Sequence, residues 1–310
     1  MRYLITGGAG FIGSNLCRRL LLNGDSVACL DDLSTGNQSN IQDLLENDNF
    51  EFFNHDLTKP FFPDNIDAIF NLACPASPVH YQYNPIRTLK MGTLAMYNVL
   101  GMAARLNIPI LQSSTSEIYG DPLVHPQKES YLGNVNPVGP RACYDEGKRV
   151  AEALCVAYKN YNGTSVRIAR IFNTYGPFMD PKDGRVVSNF IVQAIKNEPI
   201  TVYGEGIQTR SFCYVDDLVI SLIKLMNSNF QEPINLGNPT EINMLDLAEI
   251  IIKETSSKSK IVFESLPIDD PKKRCPDISL AKKQLSWAPE IDLVTGLKPT
   301  IAWFRKCLNR

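Results

Sequence analysis

The chain has 310 residues, of which 44% are hydrophobic and 21% charged, with a formal net charge of −2. This is the composition of an ordinary globular protein of one large domain or two intimate ones. The small net charge excludes a broad electrostatic pull toward nucleic acid or a membrane surface. Eight cysteines are scattered without a CxxC pair, and there are three histidines. The sequence therefore predicts no metal site and no disulfide framework, with the thiols acting as small core hydrophobes in a reducing compartment. Met1 is followed almost at once by a strand-like run, with no charged leader and no apolar span of membrane length, which predicts a cytoplasmic protein. The densest basic run is Lys272-Lys273-Arg274.

In chain order, Arg2-Tyr3-Leu4-Ile5-Thr6 is β-prone and ends in Gly7-Gly8-Ala9-Gly10-Phe11-Ile12-Gly13. An amphipathic helical pattern follows (Leu16, Cys17, Leu20, Leu21), then a second strand-like run, Asp25 to Asp32, ending in acid. Strand, Gly-rich turn, helix, strand and acid within about 30 residues suit a dinucleotide. Gly7 and Gly10 let backbone approach a pyrophosphate, Gly13 lets helix and strand pack closely, and the helix N-terminus, with Phe11 and Ile12, presents N–H groups to phosphate. Asp31 is placed to accept from ribose hydroxyls, which favours NAD+ over its 2′-phosphorylated form. Asp32, Ser34, Thr35 and Gly36 follow it and join the expected cofactor set.

Further strand signals recur at Phe50–Phe53, Asp67–Leu72, Ile108–Ser114 and Thr164–Ile171, with helical patterns between several of them. Such alternation predicts an α/β fold, a Rossmann-type doubly wound parallel sheet, with ligands bound off the carboxyl ends of its strands. Asp56, Leu57, Leu72, Ala73 and Ile171 lie at or beyond such ends and are expected at the cofactor. The helical stretches 88–105 and 148–161 are apolar around most of their circumference, so one side needs a cover other than the sheet. They predict a homodimer through a four-helix bundle. After Gly176 the chain is punctuated by glycine and proline, which predicts a smaller, discontinuous α/β substrate-binding domain. The expected division is 1–175 plus about 207–235 for the NAD-binding domain, and about 176–206 plus 236–310 for the other. Ser211–Val215 is expected to return to the sheet.

The densest chemistry lies between Ser113 and Lys148. Ser113-Ser114-Thr115-Ser116-Glu117 ends a buried-looking strand with hydroxyls and one carboxylate. Tyr144 and Lys148 stand at i and i+4, on one helical face. A free phenol with a pKa of about 10 is a poor base at neutral pH, and a neighbouring ammonium or an oxidised nicotinamide favours phenolate. This is a general acid/base couple that needs a hydride acceptor.

The Gly-rich turn with Tyr144-x-x-x-Lys148 resembles the extended short-chain dehydrogenase/reductase family, and over essentially its whole length the chain is similar to the UDP-glucuronate decarboxylases (UDP-xylose synthases) within it. The stretches that carry the resemblance are Ser114–Pro122, Asn136–Arg149, Arg170–Pro177, Asp183–Phe190, Gln208–Phe212 and Lys273–Ile278. Cys74, Leu132, Phe178 and Cys275 depart from the family pattern.

The resemblance implies a redox-neutral reaction on UDP-glucuronate with bound NAD+. Tyr144 takes the C4 hydroxyl proton, C4 gives up hydride, the resulting β-keto acid loses CO2, C5 is protonated and the hydride returns. It implies that Lys148 orients the nicotinamide ribose, that Thr115 holds the C4 oxygen, and that Glu117, Ser116 and Arg274 handle the C5 centre. Tyr81 and Lys90 are implied at the sugar, and Asn173, Arg185, Tyr203 and Arg210 at the UDP group. Related 4,6-dehydratases carry Asp-Glu where this chain has Ser116-Glu117, and related 4-epimerases lack the acid at 117. Both reactions remain alternatives, as does a non-catalytic NAD-binding scaffold.

Overall fold

The computed structural model describes residues 1–265 and 273–309; Lys272 of the basic run lies outside them. Among the described residues, seven strands form one parallel sheet. β1 (Arg2–Thr6), β2 (Ser26–Asp31), β3 (Phe50–Asn54), β4 (Ala68–Asn71), β5 (Ile110–Thr115) and β6 (Val166–Ile171) are joined by Pro233–Leu236. Across the sheet the order is β3-β2-β1-β4-β5-β6 and then Pro233–Leu236. β1 and β4 are neighbours, so the connections reverse direction between them, and a crevice opens there at the carboxyl ends. Every residue of β4 and β5 is buried, as expected for central strands covered on both faces.

Apolar side chains pack on each face. Leu16, Leu20, Val27, Phe70, Leu218 and Leu222 belong to one core, and Leu4, Ile69, Met96, Val99, Leu100 and Ile110 to the other. Fully burying one such side chain contributes about 1.5–3 kcal/mol. The Phe11–Leu22 helix covers the first face, and the Met96–Leu106 and Ala142–Asn162 helices cover the second. The last two end in left-handed residues, Asn107 (φ 53°) and Gly163 (φ 69°), the usual way a helix satisfies its last carbonyls.

Two sequence expectations change. The 88–105 stretch is helical throughout but not α-helical throughout: Pro85–Lys90 and Met96–Leu106 flank a π-helical turn at Met91–Ala95. There Gly92 lies against the backbone of Gly147, where a Cβ on Gly92 would come within 2.5 Å of the Gly147 carbonyl oxygen. The strand that returns to the sheet is Pro233–Leu236, paired with β6. Ser211 ends a short strand paired with Glu241–Asn243, and Cys213–Tyr214 pairs with Thr174–Tyr175. No described helix is long and apolar enough to cross a membrane.

Candidate active site

The loops beyond the sheet's carboxyl ends enclose a crevice of about 610 Å³. Gly7, Gly10, Phe11, Ile12, Gly13, Asp31, Asp32, Ser34, Thr35, Gly36, Leu57, Leu72, Ala73 and Ile171, the residues expected at the cofactor, all line it. The turn after β1 is built for close backbone approach. Gly7 has φ 69°, and a Cβ on it would meet Ala73 N at 2.8 Å. A Cβ on Gly13 would lie 2.2 Å from the Gly7 carbonyl oxygen. The helix that follows has no side-chain cap at Gly10, which leaves its first N–H groups to a phosphate. The Asp31 carboxylate accepts from Ala9 N at 3.0 Å and Leu33 N at 2.8 Å. Burial raises its pKa against those two hydrogen bonds. A cradle that no side chain can enter, with an acid fixed at the next strand end, fits a dinucleotide. Asp32 lines the same crevice but is ion-paired with Arg87.

Two expected residues border the crevice without lining it. Asp56 and Lys90 line a separate small pocket with Thr58, Asn84, Ile86 and Arg87. The Asp56 carboxylate turns back to Thr58 N and Oγ, both at 2.9 Å, and Lys90 is exposed on its helix.

At the reactive end Tyr144, Lys148, Thr115, Ser116, Glu117, Arg274 and Tyr81 share the crevice wall. Lys148 Nζ donates to the Ser113 carbonyl at 2.8 Å and lies 5.8 Å from the Tyr144 ring centre. Tyr81 stacks on Tyr144 with ring centres 5.0 Å apart and planes 6° from parallel. Burial drives the Tyr144 phenol pKa up, Cys74 adds to the rise, and a hydrogen bond with Thr115 opposes it. A nearby positive charge would oppose that rise.

Glu117 is the electrostatic centre of this end. Its side chain is 9% exposed, and it pairs with Arg141 and, at 2.9 Å, with Arg274. Burial works to raise its pKa, but the charges of Arg274 and Arg141 outweigh burial and hold the carboxyl below its usual range. Ser116 Oγ donates to Glu117 Oε1 at 3.5 Å, and the Thr115 hydroxyl accepts from Glu117 N at 3.2 Å. Arg141 and Asp145 escaped the sequence reading. Both stand in a stretch matched only as a whole, and what gives them meaning is burial against Glu117 and Tyr81. Among the described residues, Tyr81 OH, Arg141 Nε and Asp145 Oδ1 are buried polar atoms without a hydrogen-bond partner.

Asn173, Arg185, Tyr203 and Arg210 also line the crevice, where Arg185 acts on Tyr144 and Glu117, and Arg210 on Glu117, through their charges. Arg185 is forked onto Asp183, at 2.5 and 2.8 Å. The backbones of Arg210 and Arg274 bridge one another. Away from the crevice, His125, Glu241 and Cys275 bring one donor atom each within 4.8 Å of the others, a grouping the sequence did not predict. Those donors are already engaged: His125 with Glu241 at 3.0 Å, Glu241 with Thr209 at 2.5 Å, and Cys275 with the Pro239 carbonyl at 3.3 Å.

The NAD dependent epimerase/dehydratase family matches residues 3–237. The chain is 53% identical over 308 residues to UDP-glucuronic acid decarboxylase 1 of Xenopus tropicalis, covering 99% of this chain and 73% of that protein. It is 51% identical over 310 residues to UDP-glucuronic acid decarboxylase 3 of Arabidopsis thaliana, covering 100% of this chain and 90% of that one. Among solved structures it is similar to a UDP-glucuronic acid 4-epimerase from Bacillus cereus, in complex with UDP-glucuronic acid and NAD. There the TM-score is 0.87 and the identity 26%, with coverage of 99% of this chain and 100% of that one. The chain therefore belongs to the NAD dependent epimerase/dehydratase family.

Proposed function

We propose that this chain is an NAD+-dependent enzyme that decarboxylates UDP-glucuronate to UDP-xylose and CO2 through a 4-keto sugar, returning the hydride to C4. The relatives about half identical to it support the reading. Within the site, the observation that carries it is the buried Glu117 held ionised between Arg274 and Arg141 with Ser116 beside it. Related 4-epimerases lack the acid at position 117, because they only turn over a 4-keto sugar. A 4,6-dehydratase needs an acid where Ser116 stands.

Bound NAD+ supplies the hydride acceptor and donor. Gly7, Gly10 and Gly13 with the following helix N-terminus hold its pyrophosphate, and Asp31 its ribose. Tyr144 removes the C4 hydroxyl proton while Thr115 holds that oxygen, and Lys148 orients the nicotinamide ribose. Arg274 and Arg141 receive the substrate carboxylate beside Glu117, and a planar guanidinium matches a carboxylate in two hydrogen bonds. Asn173, Arg185, Tyr203 and Arg210 hold the UDP group. In this reading residues 1–175 with about 207–235 carry NAD+ and the remainder carries the UDP-sugar.

NMR of the product formed from UDP-glucuronate tests the activity. UDP-xylose is expected. UDP-galacturonate would mean epimerisation, and absence of turnover with NAD+ bound would favour a binding protein.

The enzyme acts as a cytoplasmic homodimer in this reading. The eight cysteines are thiols rather than disulfides, which suits a reducing compartment. Leu94, Tyr97, Val150 and Val156 are exposed on the two helices opposite their core-facing sides, and a two-fold copy would cover them. Light scattering on the intact enzyme is expected to give a dimer, and Leu94→Glu to favour a monomer. A wild-type monomer at micromolar concentration would contradict it.

A further inference from the structure

Proton balance raises a question that the residues assigned so far leave open. In decarboxylation the bond from C5 to the carboxyl carbon breaks, CO2 leaves, and the electron pair passes into an enolate over C5, C4 and the C4 oxygen. The enolate then collapses as a new C5–H bond forms. Tyr144 removes one proton from the C4 hydroxyl and returns it when C4 is reduced again, so its cycle closes. The proton that ends on C5 is an additional one, drawn from solvent once per turnover into a buried site. Glu117 does not store it between turnovers, because Arg274 and Arg141 keep its carboxyl ionised.

Asp145 is the acid next to this corner that the mechanism above does not use. It sits in the first turn of the Ala142–Asn162 helix, four residues after Arg141, whose carbonyl accepts from Asp145 N at 3.1 Å. The residue is 6% exposed. Its Oδ1 has no hydrogen-bond partner, and the neighbouring Tyr81 OH and Arg141 Nε are likewise buried without one. These buried atoms lie around Arg141, which is itself paired with Glu117, so each calls for an explanation.

We propose that Asp145 is the proton store of this site: it supplies, through the Glu117–Ser116 pair, the proton that C5 takes up when the carboxylate leaves. This rests on the decarboxylase reading. The Arg274 guanidinium engages the substrate carboxylate, which weakens its hold on Glu117. A proton passes from Asp145 to Glu117 and on, by way of the Ser116 hydroxyl, to C5. Asp145 is left ionised and regains a proton from solvent.

The charges around Asp145 suit this role. Burial and the Glu117 carboxylate raise its pKa to about 7, against Arg141 and Arg274, with Glu146 adding a smaller rise. Tyr81 faces it from the Pro78–Tyr83 helix. On the adjoining Pro85–Lys90 helix, Arg87 is turned to Asp32 and Lys90 lines the separate pocket. A carboxyl that titrates near neutrality both holds a proton and releases it.

The test begins with CO2 release by the wild type. Without it the decarboxylase reading falls, and this proposal falls with it. Where the wild type releases CO2, its kcat is expected to decline as pH rises through about 7. Asp145→Asn, which keeps the shape and loses the proton, is expected to lower kcat at neutral pH by about 10²-fold. KM for UDP-glucuronate should not change, and the decline near neutrality should disappear. In single turnover the variant should form reduced nicotinamide at the wild-type rate and stall afterwards. Asp145→Glu is expected to restore part of the rate with a shifted pH limb, and it serves as the readout if the Asn variant does not fold. Unchanged kcat and pH profile in Asp145→Asn would overturn the proposal. So would a loss in which C4 oxidation slows equally and the pH limb persists, and so would an unshifted limb in Asp145→Glu.

Discussion

The Arg274 guanidinium lies 2.9 Å from the Glu117 carboxylate, although 157 positions separate them in the chain. Both side chains are nearly buried, at 12% and 9% exposure. Removing one partner of a buried pair costs about 3–5 kcal/mol when the other charge is left alone. Here Arg141 remains on Glu117. Arg274→Gln is therefore expected to cost less, about 1–3 kcal/mol, the scale of one unsatisfied buried group. It should also abolish CO2 release while NAD+ still binds. Chemical denaturation and NAD+ titration check both, and wild-type turnover in the variant would remove Arg274 from the carboxylate site.

Tyr144→Phe keeps the stacking ring against Tyr81 and loses only the hydroxyl. Turnover is expected to fall by about 10²-fold or more, the scale of general acid/base catalysis, with the melting temperature little changed. Steady-state rates on UDP-glucuronate decide it, and wild-type turnover would take Tyr144 out of the mechanism.

Gly92 and Gly101 lie on successive parts of the same helical stretch and should respond in opposite directions. A Cβ at 92 would sit 2.5 Å from the Gly147 carbonyl oxygen, whereas at 101 the nearest atom is the Tyr158 hydroxyl at 3.9 Å. Gly92→Ala is expected to destabilise by about 1–3 kcal/mol through overpacking. Gly101→Ala is expected to stabilise by roughly 0.5–1 kcal/mol as an ordinary helix-interior replacement. Urea denaturation of both variants measures the contrast, and equal effects would contradict the close approach at Gly92.

Asp145 also makes stability depend on pH, with a definite sign. The folded chain keeps its proton up to about 7, while an unfolded chain releases it near about 3.9. Between those values the folded state binds more protons, so this group's contribution to stability falls as pH rises through the window and is level above it. Asp145→Asn lacks that loss. Its melting temperature relative to wild type is expected to be higher at pH 8 than at pH 5. Melting curves that stay parallel across the range would show that Asp145 titrates normally.

What the sequence made legible was what is local. The turn from Gly7 to Gly13 and the Tyr144–Lys148 spacing need only one strand end or one helical turn, and Tyr144 and Lys148 indeed share the crevice with Glu117. Arg141 sat in plain view, but what marks it out is a partner 24 residues away, the Glu117 carboxylate. Asp56 looked like a strand-end acid for the cofactor, yet it turns its carboxylate to Thr58. The π turn at Met91–Ala95 depends on how closely two helices approach at Gly92 and Gly147, and helical periodicity carries no record of that distance.

The most direct measurement uses UDP-glucuronate labelled with ¹³C at the carboxyl carbon. The account predicts that the label leaves as CO2 in step with UDP-xylose, one for each sugar turned over, with no net reduction of NAD+. Label retained in a hexuronate product, whether UDP-galacturonate or unreacted UDP-glucuronate in the presence of bound NAD+, would contradict it.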